Sequence, residues 1–146
     1  MNKTRVLFLC IHNSARSQMA ETFLNNLAGD RFEAESAGFE PRQLNPFVVE
    51  TMQEIGYDIS GNKSKDVFDL YKQGKIYKYV ISVCDEGSAQ KCPIFSGMMN
   101  RLAWSFSDPS SFIGSRAEQL EQTRNVRDAI KQKVLDFINI EPPQRR

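Results

Sequence analysis

Short apolar runs and amphipathic stretches alternate along the chain. Arg5-Val-Leu-Phe-Leu-Cys10 is continuously apolar after its first residue, the pattern of a strand buried on both faces of a parallel sheet. Ala20, Phe23, Leu24 and Leu27 then recur at helical spacing, with Gly29 placed to end that helix. Phe32 to Ala37 reads as a second strand, closed by Gly38. Asn45-Pro46 has the order of an N-cap and a first-turn proline. The helix it opens turns Val48, Val49, Met52 and Ile55 inward and stops at Gly56. Val67, Phe68, Leu70 and Tyr71 predict a short helix broken at Gly74. Tyr79 to Val83 is a third strand ending at Cys84, and Leu102-Ala-Trp104 a fourth. Ser115-Arg-Ala-Glu118 is a capping box. Behind it Leu120, Val126, Ile130, Val134, Phe137 and Ile138 stripe a last helix, which ends before Pro142-Pro143.

Strands separated by helices pair in parallel through right-handed crossovers. The expectation is one α/β domain over residues 1–146, a three-layer sandwich. Its four-stranded parallel sheet would run in the order 2-1-3-4, with helices on both faces. Ligands in such sheets bind beyond the carboxyl ends of the strands. Cys10 and Cys84 each end a predicted strand, so both fall on that rim. In that order their strands are neighbours, about 4.8 Å apart, which brings the two thiols toward exchange range.

Composition narrows the class. With 19 basic and 18 acidic side chains the net charge is +1, so neither a nucleic-acid nor a membrane partner is expected. The opening Met1-Asn-Lys-Thr-Arg5 precedes only six apolar residues, too few for a signal peptide, and no run is long enough to span a bilayer. A cytoplasmic protein is expected. There, an odd count of three cysteines suits thiol chemistry better than a fixed disulfide framework.

The candidate chemistry lies in Cys10-Ile11-His12-Asn13-Ser14-Ala15-Arg16-Ser17, at a strand-to-helix junction. A loop entering a helix N-terminus turns backbone N–H groups inward and makes a cup for a tetrahedral oxyanion. Arg16 adds a bidentate fork to the anion. The same field favours a Cys10 thiolate, lowering a thiol pKa of about 8.5 toward the roughly 3.5–7.5 seen in such settings. Asn13 suits bracing of the loop through side-chain-to-backbone bonds, and the Ser17 hydroxyl is placed to donate to the Cys10 sulfur.

Cys10-x5-Arg16-Ser17, followed by Gln18-Met-Ala-Glu21, resembles the low-molecular-weight protein tyrosine phosphatase superfamily. Asp108-Pro109 matches that family's general-acid loop, and the pattern covers almost the whole chain. The superfamily contains phosphatases, which need one cysteine, and arsenate reductases, which need more. Cys84-Asp-Glu-Gly-Ser-Ala-Gln-Lys-Cys92-Pro93 resembles the redox segment of the thioredoxin-coupled arsenate reductases. Ser110-Ser111 stands where the phosphatases usually carry a tyrosine pair.

That resemblance implies a mechanism. The Cys10 thiolate attacks arsenate, or phosphate in a phosphatase, held by residues 11–17. Asp108 protonates the departing oxygen. Cys84 then attacks Cys10, and Cys92 attacks Cys84. Thioredoxin reduces the final disulfide, with glutaredoxin and glutathione as the other donor class. If residues 84–92 are helical when reduced, eight steps of rise separate the sulfurs by roughly 12 Å, so that segment must unwind to pair them. No organic cofactor is implied, and nothing calls for more than a monomer. Some of these reductases hold potassium behind the loop through residues matching Asn13, Glu21 and Ser36. Here Lys65 takes the slot of the remaining aspartate; its ammonium would replace the metal and pair with Glu21, so no metal site is expected. The competing readings are a tyrosine phosphatase and a non-catalytic oxyanion-binding or redox-sensing module. Asp108 argues against the last, since a carboxylate beside an anion site weakens simple binding.

Overall fold

The computed structural model describes residues 3–83 and 100–140. Four parallel strands, β1 (Thr4–Cys10), β2 (Phe32–Gly38), β3 (Tyr79–Ser82) and β4 (Asn100–Ala103), form one sheet in the order β2-β1-β3-β4. The predicted order and the all-parallel pairing are both found. Cys84 and Cys92 lie outside the described residues.

β1 is central, so its side chains alternate between two buried faces. Val6, Phe8 and Cys10 pack under α1 (Arg16–Leu27), α2 (Pro46–Gln53) and α4 (Arg116–Ile140), through Met19, Phe23, Val48, Met52, Ile130 and Val134. Leu7 and Leu9 face the other way, against α3 (Val67–Lys72) and the buried ring of Tyr77. Helices thus cover both faces, the larger core lying on the α1 side.

The predicted caps are largely in place. Asn45 Oδ1 accepts from the N–H groups of Phe47 and Val48, with Pro46 in the first turn of α2. Ser115 and Glu118 exchange the two bonds of a capping box at α4, which holds the Glu118 carboxyl below its ordinary pKa. One boundary shifts by a residue. Gly38 is the last residue of β2, beyond the predicted end at Ala37. Gly29 follows the C-cap Ala28 as expected, and it also allows close approach, since a Cβ there would lie 2.3 Å from the Asn25 carbonyl oxygen. The predicted short helix is found as α3, with Val67 and Leu70 buried and Phe68 and Tyr71 facing outward.

Candidate active site

Cys10 ends β1, 4% exposed, opposite Gly38 of β2. The loop that follows turns its carbonyls outward. Ile11 O accepts from Glu40 N (2.8 Å), His12 O from Arg42 N (3.0 Å) and Ser14 O from Asn45 N (2.9 Å). Asn13 O accepts from Gln18 Nε2 (3.1 Å) and Ser64 Oγ (3.0 Å), and Ala15 O from Met19 N (3.1 Å). In a trans peptide the N–H points opposite to the C=O. Five outward carbonyls therefore leave the N–H groups of residues 12–16 directed to the inside of the loop, the arrangement of an anion nest.

Asn13 makes that turn feasible. Its φ is +51°, a left-handed conformation that asparagine tolerates better than most residues. Its fully buried side chain donates to Ser17 Oγ (2.8 Å) and accepts from Lys65 N (2.9 Å) and Gln18 Nε2 (3.2 Å). The expected brace is thus present, with more partners than the sequence indicated. Ser17 Oγ accepts from Asn13, which leaves its own hydrogen to donate. Gly38 allows the loop to lie against β2: a Cβ there would be 2.7 Å from Ile11 O and 2.8 Å from Asn13 N.

The start of α1 is a second source of donors. Ala15 occupies its N-cap and supplies no side-chain cap, so first-turn N–H groups are open to an anion. Arg16, the first helical residue, is 3% exposed. One of its Nη atoms donates to Phe106 O (3.0 Å) and the other lies 3.6 Å from Asp108 Oδ2. Its buried Nε has no hydrogen-bond partner among the described residues. A buried guanidinium with an unspent N–H is costly unless it serves a ligand. Asp108 caps the 3-10 turn Pro109–Ser111, its Oδ1 accepting from Ser110 N and Oγ at 2.9 Å each. This leaves Oδ2 facing Arg16. Asp108, distant in sequence, thus stands on the same rim of the sheet as the Cys10–Arg16 loop.

Behind the loop, Glu21 accepts from the Ser36 hydroxyl, and Lys65 Nζ stands 3.9 Å from Glu21 Oε1. This is the predicted pair. Burial pushes the Glu21 carboxyl above its ordinary pKa, opposed by Lys65 and by the Ser36 bond. Among the described residues no group of three or more His, Cys, Asp or Glu side chains is arranged to hold a metal ion.

The His12 side chain turns toward the neighbouring segment. Its Nδ1 lies 2.9 Å from Glu40 O, so the ring turns to the chain after β2 and only the His12 backbone belongs to the cup. Sequence reasoning also missed Gln18, Ser64 and Phe106. Gln18 carried a signal, being a polar residue on the inward side of α1; it is 1% exposed. Ser64 and the Phe106 carbonyl carried none.

The family of low molecular weight phosphotyrosine protein phosphatases matches residues 5–141. The chain is 37% identical over 138 residues to the arsenate reductase of Shouchella clausii, covering 94% of this chain and 96% of that one. A solved arsenate reductase in a phosphate-binding state superposes with a TM-score of 0.79 at 32% identity, covering 93% and 97% of the two chains. A thioredoxin-dependent arsenate reductase of Corynebacterium glutamicum has a TM-score of 0.61 at 28% identity, over 92% of this chain and 63% of that one. No described helix is long and apolar enough to cross a membrane.

Proposed function

The chain belongs to the low molecular weight phosphotyrosine protein phosphatase family, and from that premise we propose that it reduces arsenate to arsenite through a Cys10, Cys84 and Cys92 thiol relay. The observation that carries this reading is the buried Arg16, with its unspent Nε–H, beside an uncapped helix start and one loop away from Cys10. Those groups suit a compact oxyanion with several equivalent oxygens. The relatives named as arsenate reductases support the choice of arsenate.

The Cys10 thiolate adds to arsenic while Arg16 and the loop N–H groups take up the charge on the oxygens. Asp108 gives a proton to the oxygen that leaves as water. Cys84 then attacks the Cys10 sulfur. The S–As bond breaks with its electron pair kept by arsenic, so arsenite departs and a Cys10–Cys84 disulfide remains. Cys92 attacks Cys84, which restores the Cys10 thiolate and leaves Cys84–Cys92 oxidised. A dithiol of the thioredoxin class returns two electrons; at about −270 mV thioredoxin is competent if that disulfide is no more reducing.

The test is turnover of arsenate with thioredoxin, its reductase and NADPH, with disulfides mapped by mass. Cys92→Ser should stop after one turnover with Cys10–Cys84 trapped, and Cys84→Ser should make no disulfide at Cys10. Rapid aryl-phosphate hydrolysis that survives both substitutions, with no arsenate turnover in the unsubstituted protein, would establish the phosphatase reading instead.

A further inference from the structure

We propose that His12 is a positioning residue for oxyanion capture: its ring, as the Nδ1–H tautomer, clamps the anion loop to the chain between β2 and α2. The inference rests on the oxyanion reading of the cup and extends it to a side chain that does not touch the anion.

A carbonyl oxygen only accepts, so the 2.9 Å contact between His12 Nδ1 and Glu40 O places a hydrogen on Nδ1. The bond spans 28 residues and joins the two segments whose backbones already meet at Glu40 N→Ile11 O and Arg42 N→His12 O. His12 and Glu40 therefore form a small interlocked pair of turns, with the side-chain bond beside two backbone bonds. Gly38 lies at the base of the same contact, where a Cβ would strike the His12 carbonyl carbon at 2.9 Å. The outward direction of the loop carbonyls, and hence the inward direction of the N–H groups, depends on this segment staying in place. Within the loop, Asn13 fastens the cup to residues 64 and 65, and His12 is the side chain that fastens it to residue 40.

The functional consequence falls on capture. Without the clamp the loop would spend less time with its N–H groups aimed inward, and apparent affinity falls by the fraction lost. Once an anion is bound, its own bonds hold the loop, so the chemical step is spared. The loss of one such hydrogen bond corresponds to about a two- to tenfold weaker capture.

His12 is the only histidine, so a long-range proton–nitrogen NMR spectrum at mildly alkaline pH reads its tautomer without assignment. The Nδ1–H form is expected. Calorimetric titration of the reduced protein with inorganic phosphate, together with arsenate kinetics, completes the test. His12→Ala should raise the phosphate Kd and the arsenate KM about two- to tenfold with kcat nearly unchanged. His12→Asn, whose Nδ2 stands where Nδ1 stood, should restore both, and His12→Gln should not. An Nε2–H tautomer, a His12→Ala protein binding phosphate as tightly as the unsubstituted one, or an Asn variant no better than Ala would each overturn the proposal. An unsubstituted protein that fails to bind phosphate would overturn the oxyanion reading itself; phosphate bound equally by it and by His12→Ala overturns only the role of His12.

Discussion

In the proposed mechanism Asp108 both serves and obstructs the cup, so Asp108→Asn should move binding and turnover in opposite directions. Its Oδ2 sits 3.6 Å from an Arg16 Nη atom, and its side chain is 38% exposed against 4% for Arg16. An incoming oxyanion competes for that guanidinium and is repelled by the carboxylate. With Asp108 this exposed, the pair is screened and contributes about 0.2–1 kcal/mol. At roughly 1.4 kcal/mol per tenfold, removing it should tighten inorganic phosphate binding about 1.5- to 5-fold, more at low salt than at high. Asparagine keeps an oxygen to accept from Ser110 N and Oγ, so the turn should persist. Turnover of arsenate should meanwhile fall about 10²- to 10⁴-fold, the usual worth of a positioned general acid. Calorimetry with phosphate at two ionic strengths, beside steady-state arsenate reduction, measures both. Weaker phosphate binding would refute the competition argument, and undiminished turnover would remove Asp108 from the proton-transfer role.

Gly38→Ala forces a Cβ against the backbone of Ile11, His12 and Asn13; it should destabilise the protein by about 1–3 kcal/mol in urea unfolding and weaken phosphate binding. Gly61→Ala, which meets no atom within 4 Å, serves as the control. Lys65→Met should leave Glu21 buried without its cation. The Glu21 pKa is already raised by burial, so the fold favours the protonated carboxyl; that stability is full below the unfolded value and lost as pH rises through the folded one. Removing Lys65 raises the folded value further, so the variant should lose roughly 1 kcal/mol near pH 8 and less near pH 5; equal losses at both would refute the coupling. Potassium against a sodium control should leave turnover of the unsubstituted protein unchanged, and marked stimulation would contradict an ammonium in the cation's place.

Burial was the most legible property of this chain. The apolar run of β1 is central and covered on both faces, and the 2-1-3-4 order is the common one for strands alternating with helices. Local chemistry was legible too: the caps at Asn45 and Ser115 are made by residues two or three positions apart. The short helix was legible as well, although Phe68 and Tyr71 stand outward on α3. Their apolar character alone could not say which side of so short a helix meets the sheet.

The site was legible in its residue types and opaque in its fastenings. Cys10 and Arg16 were identifiable from their place at a strand-to-helix junction, and Asp108 from its resemblance to the family's general-acid loop, whereas the bonds that shape the cup reach it from backbone N–H groups of residues 40, 42, 45 and 65 and from the Ser64 hydroxyl. Asn13 shows what such long-range demands do to a single position. Glycine would accept a φ of +51° more readily, but it offers no atoms to Ser17, Lys65 or Gln18. Aspartate could accept from the Lys65 N–H, but it has no hydrogen for Ser17 Oγ and would set a second negative charge beside the anion. Only an amide of this length donates to Ser17 and accepts from Lys65 N while remaining neutral. Three separate constraints, from backbone conformation, hydrogen-bond polarity and charge, thus converge on asparagine, and each becomes visible only when residues 13, 17 and 65 are seen together.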